Sequence, residues 1–245
     1  MHHAMLRDIE YSSINVDDIE SMPPDQIAAV FSGELLPVGS VEFIESLFHR
    51  AGKSVPSNIS FVPELVEFYG RNIRFGTKSD IGCDAGLTAH GLFVKPVKTK
   101  MFTGFVLGSI SEATIEDYDL FQQLPSDCEL IISEPVKFFQ EYRYYIHNKE
   151  IIGWGRYDEG EESDCAFSTE TDRNNFVKSV IDHFPMEHCA YTVDIGVVKS
   201  ESDYQLQIVE LNDAWAIGLY KGTHAPSAGE YYEFLAARWK QICDY

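Results

Sequence analysis

The sequence predicts an α+β fold: an irregular α/β leading segment, a strand-rich body, and a closing helix. Three features carry that expectation. Before about residue 85, short apolar clusters at helical spacing are broken by prolines and glycines. From residue 91 the apolar residues fall instead into short runs bounded by turn residues, the mark of strands. The final stretch, Gly229 to Ile242, returns to helical spacing.

Residues 1–12 read as a strand-like start, and Met22-Pro23-Pro24 as a turn. Asp25 to Phe31 is a short element ending at Gly33. Val41 to Phe48 is a helix stopped near Gly52. The approach to that helix, Leu36 to Glu42, reads either as a strand-to-helix turn with exposed amides or as a plain cap at Ser40. A further short helix begins near Pro63. Gly91 to Val97 is an apolar strand carrying Lys95, and Lys98 to Leu107 is a turn and a return strand. Leu130 to Val136 is a third strand, in which Pro135 removes a backbone donor and suits an edge or a hinge. Phe138 to Ile146 and Ile151 to Tyr157 form a hairpin about Asn148-Lys149. Asp158 to Asp164 is an acidic loop, and Asp172 to Phe184 is a helix stopped by Pro185.

The 245 residues, 44% hydrophobic and 13% aromatic, are enough for one large domain or two to three small lobes. No apolar stretch approaches the roughly 18 residues of a membrane span, and the first residues show no apolar core of a secretory signal. Five scattered cysteines without a CxxC pair fit a reducing cytoplasm, with no structural zinc and no disulfide framework. The net charge of −20 argues against sequence-independent nucleic-acid binding. Against that background, residues 71–100 carry six basic and two acidic residues. The island is too small for a nucleic-acid groove and of a size for a small polyanion such as ATP, although Arg71, Arg74 and Lys78 read equally as a solvated loop.

Two further segments, Tyr191 to Val198 and Leu206 to Asp213, are apolar runs with acidic residues set into them. Glu210 and Asn212 stand two apart, so on a strand they share a face. With a carboxylate from a neighbouring strand they form an all-oxygen cradle for a hard cation, Mg²⁺ above all. A hairpin with its polar face in solvent has the same spacing. Lys95, a lone cation at the end of an apolar run, wants an anion. Behind it, Thr103-Gly104 allows close approach of backbone to a ligand. No GxxxxGK[ST], HRD or DFG motif is present.

Taken in order, these elements resemble the ATP-grasp superfamily over about residues 86–222. The resemblance runs through Phe93-Val94-Lys95-Pro96, Thr103-Gly104, Ile131 to Val136, Glu141 to Ile146, Ile152 to Tyr157, Val193-Asp194-Ile195-Gly196-Val197 and Val209-Glu210-Leu211-Asn212-Asp213. Its most specific part is the Asp-bearing strand followed by an ExN strand. The tail from Asn212 to Tyr220 looks like a branch of short bacterial and phage ATP-grasp proteins, and lacks the Ser-Pro-Gly continuation of the best-known ligases. The resemblance implies two α+β lobes enclosing a nucleotide: a leading segment over 1–85, a small lobe over 86–134 and a large lobe over 135–245. It also implies a set of roles. Lys95 contacts the α- and β-phosphates, with Lys100, Thr103 and Gly104 in a closing loop. Ser133, Glu134 and Val136 lie at the adenine edge and ribose, with Glu141 nearby. Asp194, Glu210 and Asn212 hold Mg²⁺. Arg143 and Arg156, from adjacent hairpin strands, neutralise the γ-phosphate or an acyl phosphate. The implied activity is ATP-dependent joining of a small-molecule or peptide carboxylate to an amine. A non-catalytic nucleotide-binding or regulatory protein, and a phosphotransferase acting on another group, are the alternatives.

Overall fold

The computed structural model describes residues 11–59, 61–81, 91–97, 102, 104–108, 115–157, 168–199, 203–220 and 222–244. Helices α1 (Pro24–Phe31) and α2 (Val41–Arg50) lead the chain. Ser40 caps α2 by accepting a hydrogen bond from the Phe43 amide, so the plain-cap reading of this turn holds. A 3₁₀ turn, Pro63–Leu65, runs into the single-turn helix α3 (Val66–Tyr69). Strand β1 (Ile73–Thr77) and helix α4 (Lys78–Ile81) follow. Next come β2 (Leu92–Pro96), β3 (Phe105–Leu107), helix α5 (Ile115–Gln123) and β4 (Glu129–Ser133). The second half holds β5 (Phe138–His147), β6 (Glu150–Arg156), α6 (Glu170–His183), β7 (Ala190–Lys199), β8 (Tyr204–Asp213) and α7 (Ala228–Cys243).

The strands form two four-stranded antiparallel sheets, β1-β4-β2-β3 and β6-β5-β7-β8. The α+β expectation is borne out. Strand β1 lies before residue 86, the expected start of the first lobe, yet it pairs with β4. Its sequence, Ile73-Arg74-Phe75-Gly76-Thr77, gives little strand signal, and Phe75 is exposed. Pairing with the apolar β4 supplies what propensity does not. Helix α5 has a weak sequence signal for a related reason: Ile115 and Leu120 on it are exposed, while Phe121 turns inward to pack against Phe102 and Phe105. Residues 1–10 and the acidic loop over 158–164 lie outside the described residues.

Each sheet buries one face. On the first, Val94, Leu130 and Ile132 pack with Phe105, Phe121 and Ile81. On the second, Tyr144, Val193, Ile195, Ile208 and Leu211 pack with Val177, Val180 and Ile181 of α6 and with Leu65 and Tyr69. Helices α1 and α2 close around Trp239 of α7, whose indole donates to the Val30 carbonyl at 2.8 Å. Pro135 sits between β4 and β5, in the link from one sheet to the other, as its hinge reading required.

Two bulges decide which side chains reach the open face of the second sheet. Asp194 pairs with Glu210 but Ile195 pairs with Ile208, so Val209 is an extra residue in β8. Ile208 and Leu211, three apart, therefore both face the core, and Glu210 and Asn212 both face away from it. In the β5–β6 hairpin Tyr145 pairs with Gly153 but Ile146 pairs with Ile151, which leaves Ile152 as the extra residue.

Candidate nucleotide and metal site

The inter-sheet face of β2 and β4 carries Phe93, Lys95, Ile131 and Ser133, because β2–β4 pairing sets Lys95 opposite Ile131 and Phe93 opposite Ser133. The facing surface of the second sheet carries Glu141, Arg143, Asp194, Glu210 and Asn212. Arg143 pairs with Asp194, and Asp194 with Glu210, across β5, β7 and β8. These side chains form one connected network. Arg143 forks onto Asp194, with Nε donating to Oδ1 at 2.8 Å and Nη2 to Oδ2 at 2.6 Å. Asn212 Nδ2 donates to Glu210 Oε1 at 3.1 Å and lies 3.4 Å from Asp194 Oδ2. Lys95 Nζ, from the other sheet, closes the chain by an ion pair with Glu210 Oε2.

Charge is finely balanced here. Asp194 is fully buried. Burial pushes its carboxyl up to about 6, against the pull of Arg143, and the neighbouring Glu210 and Glu141 charges push the same way. Burial also opposes the Glu210 charge, but Lys95, Asn212 and Arg143 outweigh it and hold that carboxyl below its usual range. For Arg143, burial works against the cation, and the hydrogen bonds and charge of Asp194 more than compensate, so its affinity for the proton is raised. The ion pair of Arg143 and Asp194 is thus a desolvated charge pair whose partners depend on each other.

Two aromatic side chains that nothing in the sequence singles out surround Arg143. Its guanidinium lies 4.9 Å from the centre of the Tyr220 ring and 5.6 Å from that of Tyr157. The Tyr157 hydroxyl donates to Glu141 Oε2 at 2.6 Å. Arg156 is a correction. It pairs with Tyr142, whereas Arg143 pairs with Gly155, so the two arginines lie on opposite faces of the hairpin. The extra residue Ile152 is the cause: counted straight from the Asn148-Lys149 turn, Arg156 would face with Arg143, and a one-residue slip reverses it. Tyr157 stands beside Arg143 instead.

The remaining expected residues distribute as follows. Gly104 lies beside Lys95, since a Cβ there would stand 3.3 Å from Lys95 Cβ and 2.5 Å from the Phe93 ring. Lys100 and Thr103 lie outside the described residues. Ser133 is buried and donates to the Glu134 carbonyl. The Glu134 carboxylate is exposed and takes hydrogen bonds from the side chain and amide of Asn72, which hold it below its ordinary range. A cavity of about 600 Å³ opens at this hinge, lined by Arg71, Glu134, Val136, Phe139, Val198 and Gln207. It lies on the same sheet face as Asp194, about 13 Å along β7 at strand rise. Arg71 is not a solvated loop residue: its guanidinium donates to the carbonyls of Tyr69, Ile208 and Val209 and ties the leading segment to the β8 edge.

Among the described residues no cluster of three or more His, Cys, Asp and Glu side chains is placed to hold a metal. The set at hand is two carboxylates and an amide. One Asn212 nitrogen reaches both carboxylates, so all three groups lie within reach of a single small cation. Oxygen donors of this kind suit Mg²⁺. The residues fit the ion, provided the Asn212 amide turns its oxygen inward and Lys95 yields its place on Glu210.

Residues 68–228 match a family model described as an ATP-grasp domain, the second family of its clade. No curated protein matches the chain. Among solved structures, the ADP complex of an N5-carboxyaminoimidazole ribonucleotide synthetase is 14% identical, with a TM-score of 0.42, covering 60% of this chain and 41% of that one. The ATP complex of D-alanine–D-alanine ligase from Bacillus anthracis is 11% identical, with a TM-score of 0.41, covering 82% and 75%. The ATP-grasp ligase PsnB, complexed with minimal precursor, Mg and ADP, is 12% identical, with a TM-score of 0.39, covering 95% and 74%. The chain thus spans about two fifths of the length of the first of these relatives.

Proposed function

Because the chain belongs to this family of ATP-grasp domains, we propose that it binds ATP with Mg²⁺ between its two sheets and uses it to activate a carboxylate for attack by an amine. The observation that supports this most is the network joining Lys95 of one sheet to Glu210, Asn212, Asp194 and Arg143 of the other. Two cations and three oxygen-bearing groups meet between sheets, beside a cavity of a size for a base.

In this reading the hinge backbone over 134–136 meets the adenine edge and Glu134 lies toward the ribose. Lys95 leaves Glu210 for the α- and β-phosphates, with Gly104 leaving room beside it. Asp194, Glu210 and Asn212 hold Mg²⁺, which neutralises charge on the phosphate oxygens. Arg143, held by Asp194, neutralises charge at the terminal phosphoryl group. A substrate carboxylate oxygen attacks the γ-phosphorus, the bond to the β-phosphate oxygen breaks, and ADP leaves. The amine nitrogen then attacks the acyl carbon of the acyl phosphate. The carbon–oxygen bond to phosphate breaks, phosphate departs, and the nitrogen sheds a proton as the amide forms. The site supplies placement and cations where charge develops. Arg156, on the opposite face, has no part in this scheme.

The test is ADP release from MgATP with amino acids and short peptides offered as carboxylate and amine. A ligase releases ADP only when both are present. Nucleotide binding without turnover under any pairing would favour a regulatory binder, and turnover with a non-carboxylate acceptor a phosphotransferase.

A further inference from the structure

We infer that Tyr157 and Tyr220 are positioning residues that fix the Arg143 guanidinium for the terminal phosphate of the nucleotide, an assignment that rests on the reading above. Arg143 commits Nε and Nη2 to Asp194. Its Nη1 makes no hydrogen bond to a described residue, so that nitrogen remains to donate to a ligand. What sets its direction is the plane of the guanidinium, and two rings govern that plane. Tyr220 and Tyr157 both lie within cation–π range of Arg143 and stack on each other at 5.2 Å between ring centres.

Each ring is itself held. The Tyr157 hydroxyl is tied to Glu141, which shares a strand face with Arg143. Tyr220 is held through its backbone: its amide donates to the Tyr145 hydroxyl at 2.8 Å, and that hydroxyl donates to the Gly218 carbonyl at 2.9 Å. Gly155, paired with Arg143, makes room for this segment, because a Cβ there would meet the Tyr220 carbonyl oxygen at 3.1 Å. The Tyr220 side chain contributes little to a core, being 37% exposed. Its ring sits where it covers Arg143 rather than where it fills the interior. A planar, permanently charged fork held on one edge by a carboxylate and on its faces by rings is pre-organised for an anion.

The experiment is calorimetric titration of ATP, ADP and adenosine, with Mg²⁺ present, into the wild type, Tyr220→Leu and Tyr220→Phe. The expected result is an ATP-over-ADP preference that falls about fivefold or more in Tyr220→Leu, an unchanged adenosine affinity, and wild-type behaviour in Tyr220→Phe, which keeps the ring. Tyr157→Phe, which loses only the tie to Glu141, should show a smaller loss in the same direction, and decides the matter if Tyr220→Leu does not fold. An unchanged preference in the variants, or an equal loss for all three ligands, overturns the inference. So does a wild type that binds ATP and ADP equally, while leaving nucleotide binding intact. A wild type that binds none of the three overturns the proposed function and this inference together.

Discussion

Glu210 sits at the meeting point of the site's charges, with Lys95, Asn212 and Arg143 all within reach. Changing Glu210 to Gln keeps the shape and removes one negative charge. Glu210 is half-buried on the open face of the sheet rather than in the core, so the fold should survive while MgATP-dependent turnover collapses. Circular dichroism and ADP release, measured on the same sample, check this; unfolding, or intact turnover, would make Glu210 structural. The Lys95–Glu210 pair also predicts competition, since Lys95 occupies an oxygen the metal needs. Lys95→Met should therefore bind Mn²⁺ more tightly than the wild type when no nucleotide is present, as read by metal titration. Much of this is legible in the sequence: an acidic residue within an apolar run, and an ExN spacing that matches the strand period, point to Asp194, Glu210 and Asn212. The roles of Tyr157 and Tyr220 are not, because an aromatic residue near a strand end looks the same whether it fills a core or covers an arginine.

At the scale of elements, the two strand hairpins are readable from apolar runs and turn residues, but their registers are not. Each bulge is one residue, and nothing in Val209 or Ile152 marks it as the residue left unpaired. That is why Arg156 reads onto the wrong face, while Glu210 and Asn212, which lie on the same side of their bulge, read onto the right one. Strand β1 escapes notice because its pairing with β4, not its own composition, makes it a strand. The β5–β6 turn carries its own prediction. Asn148 and Lys149 both have positive φ, 50° and 66°, the pair of conformations a two-residue hairpin turn of the primed type requires. Lysine is strained there and glycine is not, so Lys149→Gly should stabilise the protein by about 1 kcal/mol. Urea unfolding should show a raised midpoint with an unchanged slope; a lowered midpoint would mean the Lys149 side chain contributes more than its backbone costs.

On the scale of the whole molecule, the two sheets are joined by Lys95 on Glu210, by Asn72 on Glu134, and by Arg71 on the β8 carbonyls. Tyrosines lie buried through the second sheet and its surroundings. Burial raises the phenols of Tyr69, Tyr144, Tyr145 and Tyr231 from 10.0 to about 12. The native chain therefore keeps protons that the unfolded chain releases above pH 10, so stability is full below that pH and falls as pH rises toward 12. Each such phenol costs at most about 2–3 kcal/mol over that window. Phenolate absorbance and circular dichroism, followed together, should show these tyrosines ionising with unfolding; their free ionisation in the folded protein would contradict their burial. The central claim is that the space between the sheets holds ATP with Lys95 on its phosphates. It is tested most directly by calorimetric titration of MgATP and of adenosine into the wild type and Lys95→Ala. A charge-assisted contact of about 1.5–3 kcal/mol predicts that ATP affinity falls roughly tenfold to a hundredfold while adenosine binds as before, and no change for either ligand, or an equal loss for both, would contradict it.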